Sequence, residues 1–226
     1  MNKVILFLIL ILTKMPCYSQ ECDDIIWPDS LNTAKDVDYL SEVEKEVIFE
    51  MNKVRSNPRL YAECIKSERI YYNGLLKTLS EDTFLKTEEG LKAVDECIKF
   101  LRKANPVGLL HPNPEITNAA KDHAKDNSIT GKTGHTGTDG STPNSRMDRY
   151  NNRINVGENI SYGNNTAFDI VYQLMVDDGV PSRGHRDNIM NNKYNLCGLS
   201  VNTHPTYKYV CVIDYGYILK EGYFKK

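Results

Sequence analysis

The stretch from Gly134 to Arg186 limits the possible folds more than any other part of the chain. It reads GHTGTDG, then GENI, LMVDD and RGHR, and it carries His135, Glu158, Asp177, Asp178 and His185. Each histidine follows a glycine, whose permissive backbone allows a tight local shape that presents the ring. Histidines and carboxylates are the ordinary ligands of a borderline cation such as zinc, and equally the members of a buried polar network. Carboxylates buried among neutral imidazoles are costly unless compensated. A divalent cation, protonated histidines or water in an open cleft would each compensate them. Segments about fifty residues apart must therefore converge on one cleft that is metallated, wet or hydrogen-bonded.

The bulk numbers fit one globular domain. The 226 residues are 40% hydrophobic and 26% charged, enough for a core of their own. A formal net charge of -2, with Lys and Arg scattered among acids, gives no electrostatic surface for nucleic acid. Met1 to Lys3 is a short basic start, Val4 to Leu12 is an unbroken apolar run, and Cys17 and Ser19 are small residues placed for cleavage before Gln20. Residues 1–19 read as a secretory signal peptide, so the protein is expected to be secreted and extracellular; it is also expected to be a monomer. The apolar run is too short to span a bilayer and none follows, so no transmembrane segment is expected. Residues 20–40 read as a loosely ordered N-terminal leader, and 41–226 as the domain.

Six cysteines are present, and Cys17 leaves with the signal. In an oxidising compartment most of the remaining five should pair. Asn195–Val201 and Tyr207–Tyr215 read as two strands around a turn containing His204-Pro205. A hairpin centred on His204 sets Cys197 directly opposite Cys211, within disulfide range. Cys64 with Cys97 is the second pairing by default, which leaves Cys22 free or paired outside the domain.

Ser41-Glu42-Val43-Glu44 is a capping box, and a helix follows to about Arg55 with Val43, Val47, Met51 and Val54 on its apolar stripe. Asn57-Pro58 ends it, and a short helix covers Leu60 to Ser67. Residues 70–86 show no clean period and read as irregular, inside an insertion-like segment at about 66–105. Thr87 is expected to start a helix bearing Leu91, Val94, Ile98 and Leu101. Asn113-Pro114 starts the next, with Ile116, Ala119, Ala120, His123 and Ala124 on one face. Gly131 to Ser141 is a polar loop, Pro143 to Tyr150 a brief helix, and Ile154 to Tyr162 a strand. Thr166 caps a helix with Ala167, Ile170, Val171 and Leu174 on its apolar face, and Ser182 to Asn191 forms another before the hairpin. The sum is an α+β fold with helices on both sides of a small, mainly antiparallel sheet.

In this order, GHTGTDG, GENI, a helix, RGHRDNIM, Y..CGLSV and CVIDYG resemble the CAP superfamily, the SCP-domain group of cysteine-rich secretory, antigen 5 and class 1 pathogenesis-related proteins. The resemblance covers roughly Glu44 to Gly216, diverges around 66–105, and is nearest the bacterial and protist type. It implies a three-layer α-β-α sandwich with a central cleft of two histidines and two acids. Carried over by position these are His135, Glu158, His185 and Asp177, with Asp178 as the rival for the last. The family usually has Trp where this chain has Leu174, and often Glu where it has Asp.

The function classes follow from that cleft. As candidate metal ligands, His135, Glu158, Asp177 and His185 would hold a zinc-like divalent ion whose binding fades as the imidazoles protonate. His123, twelve residues before His135, is a rival ligand on an alanine-rich helix face and reads better as a core histidine. His111 and His204 lie in a loop and a turn. A hydrolase could use a metal-bound water with Glu158 as general base, but the chain has no HExxH helix and no GxSxG elbow. No catalytic residue is assigned on this reading, and Ser141 and Ser182 read as loop residues. The resemblance implies a secreted binding module for sterols, other lipids or a partner protein, with 66–105 as the place for an apolar groove. An inert structural surface component is the third class. Asn159 and Asn164 begin glycosylation sequons, the first read as inward-facing.

Overall fold

The computed structural model describes Cys22, residues 25–151 and residues 153–218; the expected signal peptide lies outside them. The elements are α1 (Glu42–Ser56), α2 (Pro58–Ser67), β1 (Tyr72–Asn73), β2 (Leu76–Ser80), β3 (Thr83–Lys86), α3 (Leu91–Leu101), β4 (His111–Pro112), α4 (Pro114–Thr130), α5 (Pro143–Met147), β5 (Ile154–Tyr162), α6 (Ala167–Val176), α7 (Gly184–Ile189), β6 (Leu196–His204) and β7 (Lys208–Ile218). The main sheet has the order β4-β6-β7-β5, antiparallel except where β4 meets β6.

Strand periodicity divides the core into two layers. Cys211, Ile213 and Tyr215 of β7 face the larger apolar cluster, which draws on α1, α2, α3 and α6. Val210 and Val212, one residue out of phase, pack on Ala120 and Ala124 of α4. Ile116 and Ala119 of the same helix meet Met147, Ile154 and Val156. The result is the α-β-α sandwich. The close approach of α4 to β6 requires Gly198, since a Cβ there would run into the backbone of Ile116 and Thr117.

Local signals placed most helix ends. The amide of Ser41 donates to Glu44 at 2.8 Å, and the Asn57 and Asn113 side chains cap α2 and α4. Three expectations fail. Residues 70–86 are not irregular: they form a three-stranded antiparallel sheet, β1-β2-β3. The third helix starts at Leu91, not Thr87, because the amides of Glu88, Glu89 and Gly90 are held by Asp178 instead of entering a helix. The leader is packed, with Leu31, Ala34 and Leu40 buried in or beside the main core.

The disulfide expectations fail together. Cys22 bonds Cys64, and Cys97, Cys197 and Cys211 are free and buried. The β6–β7 turn lies two residues later than expected, so His204 pairs Lys208, Cys197 opposes Tyr215, and Cys211 opposes Val201. Both thiols stay on one face of the sheet but stand about 13 Å apart along the strands at the usual rise per residue. That is beyond disulfide reach.

Arg55 went unnoticed in the sequence. It is fully buried and donates to the carbonyls of Gly108, Ile189, Asn191 and Tyr194, tying α1 to the loops around α7 and β6. Burial lowers its pKa to about 10, which leaves it charged at neutral pH.

Candidate functional site

The cleft is organised on β5, one of the two edge strands of the main sheet. Glu158 points to the α4 side, where Asp214 is its cross-strand partner. The neighbouring Asn159 points to the other side and donates to the His185 carbonyl at 2.9 Å. Adjacent residues of one strand thus hold two separate histidine–carboxylate pairs.

In the first pair, His135 Nδ1 lies 2.8 Å from Glu158 Oε1. The ring is on the polar loop after α4, its side chain 53% exposed, while the Glu158 side chain is buried. Gly134 takes a left-handed φ of 92°, its amide donating to Tyr162 Oη at 2.9 Å and its carbonyl accepting from His123 Nε2 at 2.8 Å. His123 is therefore a buried anchor of the loop that presents His135, and burial lowers its pKa, keeping it neutral. Glu158 holds the His135 pKa above its ordinary value, an effect partly offset by burial and by Arg146.

The sequence reading missed Arg146. It sits on α5, fully buried, with Nη2 2.5 Å from Glu158 Oε2 and Nη1 3.1 Å from the carbonyls of His135 and Ser141. The guanidinium of Arg146 is a buried counter-charge of Glu158. Asp214 is also fully buried, and its oxygens have no donor within reach. Burial and the adjacent Glu158 push its carboxyl well above the usual range, so it carries a proton that Glu158 can accept.

In the second pair, His185 Nδ1 lies 2.6 Å from Asp177 Oδ1, and the His185 amide donates to Oδ2 at 3.0 Å. Asp177 ends α6 in the left-handed region, φ 56°, a conformation aspartate tolerates. The left-handed residue before His185 is Arg183, not Gly184. Arg183 Nη1 donates to the Asp177 carbonyl at 2.6 Å and pairs with Glu89 and Glu96. Arg186 caps the carbonyls of Met175 and Val176. Asp178 turns away and binds the amides before α3, so Asp177 is the partner of His185.

Both imidazoles meet their carboxylate at Nδ1, which favours the Nδ1–H tautomer and leaves Nε2 without a hydrogen bond among the described residues. The acids orient the rings instead of standing beside them as free ligands. Among the described residues no three His, Cys, Asp or Glu side chains form a group able to hold a metal ion. His204 is a buried turn residue whose Nδ1 accepts from the amides of Thr206 and Tyr207. Asn159 is fully buried, and Asn164 lies half-exposed in the turn before α6.

His185 and Asp177 open onto a cavity of about 280 Å³ between α6, β5 and the small sheet. Its apolar walls are Ile160, Leu174, Val176 and Val180 on one side and Leu79 and Leu85 on the other. His135 and Glu158 do not line it. Among the described residues no helix is long and apolar enough to cross a membrane.

Comparison with solved structures finds similar chains at low identity. An outer surface protein of Borrelia burgdorferi is 19% identical with a TM-score of 0.44, over 65% of this chain and 100% of that one. An extracellular SCP-domain protein of Bacillus anthracis is 21% identical with a TM-score of 0.40, and the match covers 68% of this chain but only 49% of that one. The CAP domain of enterococcal PrgA is 14% identical with a TM-score of 0.34, over 89% and 90% of the two chains. No curated protein matches the chain. The family model for the cysteine-rich secretory proteins matches residues 96–215, which include both histidine–carboxylate pairs and all of the main sheet except the last three residues of β7. With more than half its length matched, and with the sandwich and the ordered motifs in place, the chain belongs to the cysteine-rich secretory protein, or CAP, family.

Proposed function

We propose that this protein is an extracellular binding module that takes a small apolar molecule in the cavity beside His185. The observation that carries the reading is that cavity, walled by leucine, isoleucine and valine with His185 and Asp177 at one side. Ligand sites are commonly concave and mostly apolar, with a few fixed polar groups. The Cys22–Cys64 bond suits an oxidising compartment. Native mass spectrometry of protein purified from its host tests the reading. A co-purifying apolar small molecule is expected, and Leu79→Arg, at an exposed position on the cavity wall, should release it. Protein that carries none, and binds none from a lipid extract of the same cells, would reject it.

A second reading has its own support. The Nδ1–carboxylate bonds leave each imidazole Nε2 as the unengaged ring nitrogen, the arrangement that orienting acids impose on metal-binding histidines. Glu158 and Asp177 are already occupied, so the protein offers two imidazoles, with Glu158 and Asp177 as their orienting partners. One imidazole with its orienting acid, as at His185, would hold a divalent ion weakly, with water completing its shell. A bound ion would polarise its water there. Calorimetric titration with zinc at pH 7.5 should give heat that His185→Ala removes; no heat in the unaltered protein rejects the reading.

A further inference from the structure

The small sheet β1-β2-β3 lies outside the family-matched residues and ends in an open strand. β3 is an edge strand, and all four of its residues are exposed. Among the described residues, no backbone bond beyond the β2–β3 ladder holds residues 83–86. Six of the eleven exposed large hydrophobic side chains described fall between Ile70 and Leu85, so the exposed apolar surface is concentrated on this sheet and its entry. Phe84 is 56% exposed and Leu76 44%. The base of the hairpin is held in place: the Thr87 amide and hydroxyl both donate to the Leu75 carbonyl at 2.7 Å, and Asp178 accepts from the amides of Glu88, Glu89 and Gly90. An anchored edge with unpaired amides and carbonyls is a template for another strand.

The Thr87–Leu75 bond sets the phase of that edge. The two residues continue the register that pairs Lys77 with Leu85. Bonded and non-bonded pairs alternate along an antiparallel ladder, so Leu85 turns its backbone groups to β2, while Phe84 and Lys86 turn theirs to the open side. Leu76, Thr78, Phe84 and Lys86 share one face of the sheet. A second copy of β3 can add antiparallel only in registers that pair these outward residues with each other. A twofold axis at Phe84 sets Phe84 against its copy, and sets Asp82 of the turn opposite Lys86 twice. An axis at Leu85 would set Asp82 against Glu88, and an axis at Asp82 or Lys86 would join like charges. An axis at Thr83 gives Lys86 no acid, only Ser80. Among the described residues neither Asp82 nor Lys86 has an ion pair within its own chain. A lysine blunts an edge against an apolar strand, but a second copy of this strand brings the matching acid.

We propose that β3 is a self-association site: two copies of the chain pair antiparallel through it about a twofold axis at Phe84, joining two three-stranded sheets into one. This sets a dimer against the expectation of a monomer. So short an edge makes a small interface and a weak, concentration-dependent pair. Sedimentation equilibrium of protein purified from its host, from about 1 μM to about 1 mM, should show the mass rising from one chain toward two and stopping there. Asp82→Lys or Lys86→Glu alone sets like charges together twice and should weaken the dimer at least about tenfold. The two changes in one chain restore the complement and should bring the dissociation constant back to within about threefold of the unaltered protein. Under mild oxidation Phe84→Cys should give a disulfide-linked dimer, since a bonded cross-strand pair has its Cα atoms about 5.5 Å apart, and Leu85→Cys should not. A mass of one chain up to about 1 mM overturns the proposal, including the case in which the edge serves the strand of a different protein. Mass that grows past two chains is open-ended aggregation and overturns it as well. A dimer that neither charge change weakens, or equal cross-linking at positions 84 and 85, places the contact on another surface or register and also overturns it.

Discussion

Arg146 is the residue whose removal should test the construction of the site most directly. Its guanidinium and the Glu158 carboxylate are both about 1% exposed, 2.5 Å apart. Arg146→Met keeps an unbranched apolar stem of similar reach but leaves Glu158 buried without its counter-charge. Breaking one side of a buried pair costs about 3–5 kcal/mol. The carbonyls of His135 and Ser141 lose a charged donor as well, so the upper end of that range is expected. For a domain of this size each kcal/mol lowers Tm by about 2–4 °C, which puts the total fall at about 10–20 °C. The assay is urea denaturation at pH 7 of the protein, Arg146→Met, Glu158→Gln and the double variant. The double should be more stable than the two single losses added together, by at least about 2 kcal/mol, because it no longer buries an unpaired charge. Additivity to within about 0.5 kcal/mol would refute the claim that Arg146 serves as the compensating charge.

Asp214→Asn should stabilise the protein at pH 7 by about 1–3 kcal/mol, since the amide can donate to Glu158 without holding a proton. The raised folded pKa means that the native state keeps a proton the unfolded chain releases near its ordinary value of about 3.9, so native stability falls as pH rises from there. The advantage of the variant should therefore grow from about pH 4 upward in denaturation curves; a constant difference would contradict it. Replacing Cys22 and Cys64 with serine opens a closure of 42 residues and should cost about 4 kcal/mol by the chain-entropy estimate, read by thermal unfolding. Replacing Cys197 or Cys211 should leave disulfide-linked peptides unchanged in non-reducing digests. Asp178→Ala removes the acceptor of three amides before α3 and should raise hydrogen exchange at 88–90 and in the hairpin they support, with a stability loss of about 1–3 kcal/mol.

Short-range chemistry carried the expectations that hold. Asn113 and Thr166 cap the amides three positions on, and the Ser41 amide donates to Glu44, so local spacing announces those helix starts. The strand Ile154–Tyr162 lies where its length and residues put it. The hairpin failed by two residues at its turn, and because pairing is cumulative that small slip moved Cys197 and Cys211 four positions out of register. The β1–β3 sheet escaped notice because its strands are short and half-exposed, and so lack the alternation that marks a strand.

What the amino-acid order determined by itself was most of the helix ends, the polar loop bearing His135 and the two histidines with their acids, because each depends on neighbours a few positions away. Tertiary structure alone decided that Arg146 neutralises Glu158, that Asp177 and not Asp178 holds His185, that Cys22 finds Cys64, and that a hairpin walls the cavity. Those choices turn on which distant groups can share a buried volume, and charge compensation in a low-dielectric interior is a property of that volume, not of the order of residues along the chain.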